Sequence, residues 1–150
     1  MNLITDIGQL DLTKRYTYAD YLTWQFTDRV ELIRGKIFNM SPAPSSQHQH
    51  ITLAISSGIY QFLRNKPCKV FQAPFDVLLP DYSGVKNTVV QPDITVVCDE
   101  SKITKAGCTG APDLIVEVIS KSSVKKDLHE KYEIYEKAGV KEYWIVQPQD

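Results

Sequence analysis

Leu114-Ile115-Val116-Glu117-Val118-Ile119 is the most apolar run of the chain and decides how the rest is read. It is too short for a helix and apolar at odd and even positions alike. That pattern belongs to a central strand covered on both faces, here extending from Asp113 to Ser120. Working outward, Ser122 or Ser123 is placed to cap a helix from Val124 to Ala138, with Gly139 as its C-terminal cap. Val140 to Val146 reads as a last strand, ended by Pro148. Upstream, Val70 to Leu79 and Val89 to Cys98 are strand-like, followed by a polar loop that ends at Gly110-Ala111-Pro112. Gln47 to Arg64 has helical spacing of apolar residues behind a Ser45 or Ser46 cap. Ser41 to Ser45 is a loop, and Val30 to Ile33 with Lys36 to Met40 reads as a hairpin turning at Arg34-Gly35. Thr17-Tyr18-Ala19-Asp20 has the form of a capping box, predicting a short helix to about Phe26, and residues 1–14 read as a loose arm. The order of strands and helices predicts one α/β domain over residues 1–150, layered around a mixed sheet.

Bulk properties narrow the class. A chain of 150 residues buries roughly 70% of its unfolded surface and needs no disulfide or structural metal to hold a core. Hydrophobic content of 43% and charged content of 23% are ordinary for a globular protein. The net charge of −1 gives no support to a DNA-coating role, although it leaves room for a local basic patch. The cysteines, Cys68, Cys98 and Cys108, are odd in number and include no Cys-x-x-Cys pair. No disulfide and no zinc site is therefore expected, and a reducing cytoplasm fits. The N-terminus lacks the pattern of a secretory signal, and no run approaches the ~20 apolar residues that span a bilayer, so no membrane association is expected.

Three polar residues sit where the pattern calls for apolar ones. Glu117 interrupts the central strand, and an ionised carboxylate there is costly unless a cation or strong donors meet it. Lys131 falls about 20° from Val124 on a helical wheel, inside the stripe formed by Val124, Leu128, Tyr135 and Ala138. Its plain reading is a lysine whose stem packs while its ammonium reaches water. Its functional reading is an ammonium aimed at the sheet near Glu117. Asp93 follows Pro92 and opens the run Ile94-Thr95-Val96-Val97, a strand position that aspartate disfavours. Two carboxylates suffice to hold Mg2+ with its waters. The ion can lower the pKa of a bound water, and a nearby ammonium can stabilise developing charge. The set therefore predicts a hydrolytic centre for phosphodiesters.

The segments ELIRGKIFNMSPAP, SSQHQHIT, FQAPFDVLLP, VVQPDITVVCD, GAPDLIVEVIS and DLHEKYEIYEKAGVKEYWIV, in this order, resemble the Uma-two family of bacterial restriction-endonuclease-like proteins over about residues 15–148. That family is placed in the PD-(D/E)xK nuclease superfamily. The resemblance implies a restriction-endonuclease-like mixed β-sheet flanked by helices, with an N-terminal helix and hairpin. It implies a Mg2+-dependent endonuclease acting on DNA, with Mn2+ as a substitute ion. Pro92-Asp93 matches the family's Pro-Asp, and Glu117 matches the acid of its Glu-x-Lys element. The lysine of that element would fall at Ile119, and Lys131 stands in for it. Glu31 and His48 match a hairpin glutamate and a helix-start histidine of the family. Asp93 and Glu117 would then hold the metal, with Glu31 assisting, Lys131 at the water and His48 near phosphate. Gln147 stands where the family has aspartate, and relatives continue beyond the position of Asp150, so the C-terminal end reads as truncated.

Other residues rank below these. Asp76 is a candidate further ligand, with a local structural aspartate as its plainer reading. Asp113 imitates the Pro-Asp signal but lies four residues before Glu117, roughly 13 Å along a strand. Asp127, one turn before Lys131, is placed to pair with it. Lys121, Lys125 and Lys126 surround the start of the last helix and are candidates for neutralising phosphates. A homodimer is expected, because double-strand cleavage needs two centres. The alternative is a non-catalytic nucleic-acid-binding or assembly module on a nuclease fold.

Overall fold

Two prolines route the chain. Each of the two long β-rich runs is cut in half, one at Pro74 and the other at Pro92, and the halves enter different sheets. Proline has no N–H for a ladder, so a strand interior is the wrong place for it. In the computed structural model, which describes residues 2–40, 44–119 and 125–148 but not the side chains of 125–127, the elements follow in order. They are α1 (Tyr18–Tyr21), β1 (Val30–Ile33), β2 (Lys36–Asn39), α2 (Ser46–Leu63), β3 (Lys69–Gln72), β4 (Asp76–Leu78), β5 (Val89–Val90), β6 (Ile94–Val97), β7 (Gly107–Thr109), β8 (Leu114–Val118), α3 (Lys125–Ala138) and β9 (Glu142–Val146). One-turn 3-10 helices lie at Ile7–Gln9 and Glu100–Lys102.

The strands form a five-stranded sheet in the order β2-β1-β5-β4-β7 and a four-stranded sheet in the order β3-β6-β8-β9. Both are mixed: β4 runs parallel to β7 and β8 parallel to β9, while the other pairs are antiparallel. The α/β class is the one expected, with the strands divided between two sheets. β7 lies inside the stretch read as a polar loop. Gly107 is required there, because an added Cβ would lie 1.8 Å from the carbonyl oxygen of Asp76 on β4. The β1–β2 turn places Arg34 at φ 50° and Gly35 at φ 83°, the two positive values of a tight hairpin turn.

The main core joins both sheets to α3. It gathers Ile33, Val77 and Val90 from the first sheet, Val97 and Ile115 from the second, and Ile134 and Tyr135 from the helix. The opposite face of the first sheet, Leu32, Leu78 and Val89, is covered by Tyr16, Tyr18, Tyr21 and Trp24. The expected first helix ends at Tyr21 rather than Phe26, with Thr17 and Asp20 completing its capping box. The arm read as loose is tied down: Ile4 bonds to Thr23 and Gln25 through its backbone, and Asp6 caps a helical turn.

One expectation is overturned. Cys68 and Cys98 form a disulfide, and Cys108 is the buried free thiol. The β3–β6 register explains it: Lys69 faces Val97, so Cys68 and Cys98 stand opposite one another one step further along, with Cα atoms 3.9 Å apart. A separation of 30 residues hid that adjacency in the sequence. Among the described residues no helix is long and apolar enough to cross a membrane. The Ser122 or Ser123 cap, Val124 and the loop residues 41–43 lie outside the described residues.

Candidate active site

Glu31 on β1, Glu117 on β8 and Lys131 on α3 come from three distant parts of the chain and meet in the interior. Glu31 is 4%, Glu117 8% and Lys131 8% exposed. Lys131 Nζ lies 2.8 Å from Glu31 Oε1 and 3.0 Å from Glu117 Oε1. Several contacts fix this meeting. Arg34, at the tip of the β1–β2 hairpin, pairs with Glu130 and Glu133 on α3, at 4.0 and 3.7 Å, on either side of Lys131 in sequence. Tyr135, one helical turn beyond Lys131, donates its hydroxyl to Glu117 Oε1 at 3.2 Å. Tyr143 on β9 donates to Glu117 Oε2 at 3.0 Å. Tyr143 faces Ile115 in the parallel ladder, so its ring reaches diagonally to Glu117 on the same face. The backbone N–H of Gln91 donates to Glu31 Oε2 at 2.8 Å.

The charges explain the protonation states. Burial lowers the pKa of the Lys131 ammonium and is the largest single influence, but Glu117 and Glu31 together outweigh it and raise the value above the usual range. Lys131 is therefore a fixed cation at neutral pH. Burial pushes the Glu31 carboxyl up, Lys131 opposes that push, and the charge of Glu117 adds to it. The two carboxylates explain the rise at Lys131, and burial together with the neighbouring Glu117 charge explains the rise at Glu31. Burial first, and then the Glu117 charge, raises the hydroxyls of Tyr135 and Tyr143, which stay neutral donors.

Asp93 joins from the four-stranded sheet. The β6–β8 register pairs Ile94 with Val116, so Asp93 stands opposite Glu117 one step beyond, where facing residues are about 5 Å apart between Cα atoms. Asp93 Oδ2 accepts the Val118 N–H at 2.8 Å and lies 3.3 Å from His48 Nε2. Burial pushes its pKa up, the Val118 and His48 contacts oppose, and the Glu117 charge adds to the rise. His48 sits in the first turn of α2, behind the Ser45 cap, and its Nδ1 is buried without a partner among the described residues.

Sequence reasoning missed Tyr135, Tyr143 and Gln91. Tyr135 lies in the apolar stripe of α3, and its buried hydroxyl needs a partner there, which Glu117 supplies. Gln91 and Tyr143 carried no signal of their own. Asp76 is structural: its Oδ1 accepts from Tyr21 and Gln91, at 3.2 and 2.9 Å. Asp113 accepts the Cys98 N–H at 2.7 Å and pairs with Lys141 at 3.2 Å. Lys121 and the side chains of Lys125, Lys126 and Asp127 lie outside the described residues.

A family model described as "Uma2: Putative restriction endonuclease" matches residues 18–150. The chain belongs to the Uma2 family. The Uma2 segment thus spans α1 through β9 and includes all five residues singled out above, Glu31, His48, Asp93, Glu117 and Lys131. An uncharacterised protein of Synechocystis sp. is 28% identical over 130 residues, covering 82% of this chain and 69% of that protein. A crystal structure from Anabaena variabilis, described as "a putative nuclease belonging to DUF820", superposes with a TM-score of 0.69 at 22% identity. The match covers 88% of this chain and 74% of that one, and it establishes a shared fold.

Proposed function

We propose that this protein is a divalent-metal-dependent nuclease that hydrolyses phosphodiester bonds, with DNA as substrate. The observation that carries the reading is electrostatic. Glu31, Glu117 and Asp93 are gathered in or beside the interior against one ammonium, so full ionisation of the three would leave two surplus negative charges, relieved either by retained protons or by a cation. A buried surplus of that size is costly unless a cation joins it. The donor set suits Mg2+, which takes hard oxygen ligands and keeps several waters. Among the described residues both contacts of Asp93 fall on Oδ2, which leaves Oδ1 for an ion, and Glu117 stands opposite. Among the described residues no group of three or more His, Cys, Asp or Glu side chains is placed to hold a metal ion. Asp93 and Glu117 would therefore hold the ion together with water. When bound, Mg2+ supplies Lewis acidity and a water of lowered pKa.

The remaining chemistry belongs to the chain. The water oxygen bonds to phosphorus and the phosphorus–sugar oxygen bond breaks, leaving a phosphomonoester and a hydroxyl. Lys131 keeps its proton and so acts by orienting water and balancing phosphoryl charge, not as a base. The carboxylates are the groups placed to take the proton of the water. Tyr135 and Tyr143 hold the Glu117 oxygens in place, and His48 steadies Asp93. Membership of the family supports nucleic acid as the substrate.

The test is cleavage of plasmid and oligonucleotides with Mg2+, with Mn2+ and with chelator. Metal-dependent cleavage is expected, with Glu117→Gln and Lys131→Arg each losing at least about 100-fold, the scale set by removing one charge-stabilising group. Unchanged activity in both folded variants would remove the mechanism. A second reading, a non-catalytic nucleic-acid-binding or assembly module, draws on the three donors that already occupy Glu117. Calorimetric titration with Mn2+ separates the two: no binding at millimolar concentration favours the module.

A further inference from the structure

We infer that Arg29 is the phosphate anchor of this site, holding a non-bridging oxygen of the substrate backbone beside the carboxylates. The inference rests on the phosphodiesterase reading above. Arg29 lies two residues before Glu31. The Met40 N–H bonds to its carbonyl at 2.9 Å, continuing the β1–β2 ladder past Val30 and Asn39. Residues two apart on a strand share a face, so Arg29 stands on the Glu31 face, at the exposed rim.

The guanidinium is held in place. Arg29 Nε donates to Gln91 Oε1 at 2.8 Å. Gln91 has no freedom to turn: its Nε2 donates to Tyr21 OH at 3.0 Å and Asp76 Oδ1 at 2.9 Å, and its N–H donates to Glu31 Oε2. The amide oxygen is therefore the end presented to Arg29. One residue thus orients the surface arginine and the buried glutamate, and it immediately precedes Pro92-Asp93.

Among the described residues the head group makes no ion pair, although its charge also reaches Asp76. Arg34, Lys69 and Lys141 each end on a carboxylate. Arg29 ends on a neutral amide oxygen through Nε, and among the described residues its two terminal amino groups are left for a ligand. A rigid fork of donors fits phosphate oxygens bidentately, which an ammonium cannot do. A phosphodiester approaching a centre rich in carboxylates is repelled by them. A pre-positioned cation at the rim offsets that repulsion without the cost of ordering a free side chain.

The experiment measures binding of a fluorescent DNA duplex by anisotropy in Ca2+ across a salt series, with Mg2+ cleavage kinetics in parallel. Wild type is compared with Arg29→Gln, Arg29→Lys and a control at another exposed cation, Lys105→Gln. Arg29→Gln should weaken binding about 10-fold, the scale of one charged hydrogen bond, and lower the salt slope by about one. KM should rise more than kcat falls. Arg29→Lys should keep the slope but not the full affinity. If wild type binds and cuts DNA while Arg29→Gln matches it in Kd and slope, the assignment of Arg29 is overturned and the nuclease reading survives. An equal loss in Lys105→Gln also overturns it. If wild type neither binds nor cuts, both readings fall together.

Discussion

Lys131 is one ammonium shared by two buried carboxylates, Glu31 and Glu117. Its position inside an apolar stripe marked it as an ammonium aimed at the sheet, and it lies within 3.0 Å of two carboxylates. Glu31 is a candidate site residue through family resemblance alone, and nothing in the sequence pairs it with Lys131. Removing the lysine leaves both acids buried without a cation, held by neutral donors alone. Lys131→Met is expected to cost about 3–5 kcal/mol in urea unfolding, the scale for stranding a buried charge. A loss below about 1 kcal/mol would show that the pairs contribute no more than surface ones. Asp76 gives a pH-dependent prediction. Burial raises its folded pKa above the ordinary value of 3.8, although Gln91, Tyr21 and Arg29 oppose that rise. Its stabilising protonated form is fully present below the unfolded pKa and is lost as pH rises through the folded one. The Tm of Asp76→Asn relative to wild type should therefore climb as pH rises above about 4. A flat difference would mean that the hydrogen bonds to Asp76 cancel the burial cost.

Elements were read well where periodicity was long and poorly where strands were short. The α2 helix, expected over 47–64, runs Ser46–Leu63 with Ser45 as its cap. The two apolar runs at 70–79 and 89–98 were each read as one strand. Both break at a proline and cross between sheets, because a missing N–H ends a ladder while the apolar pattern continues on the far side. β7, three residues inside a polar stretch, gave too little signal to find. The same pairing of β3 with β6 brings Cys68 and Cys98 together, which no spacing rule anticipated. In the chain-entropy account, closing a loop of that length contributes roughly 3–4 kcal/mol. Unfolding by urea with and without dithiothreitol should differ by that amount. Thiol titration should find no reactive cysteine in the native protein and only Cys108 after denaturation without reductant. Equal stabilities would show that the bridge contributes nothing to the fold.

At the scale of the whole molecule, the two sheets and α3 enclose a single main core, and the polar cluster sits where all three meet. The surrounding apolar packing is what makes the cluster's charge imbalance consequential, since the same groups in water would interact weakly. The overall charge of −1 concealed that imbalance because it averages the interior with the surface. By itself the sequence determined the α/β class, the central strand, the long helix and the oddity of Asp93, Glu117 and Lys131. These are local properties, carried by periodicity and by polar residues in apolar runs. Tertiary structure alone decided that Glu31 is a direct partner of Lys131, that Tyr135 and Tyr143 hold Glu117, that Gln91 links Arg29 to Glu31, and that two cysteines meet. Each depends on register and crossing between chain-distant elements, and pairing across a sheet leaves no trace in the order of residues along a strand.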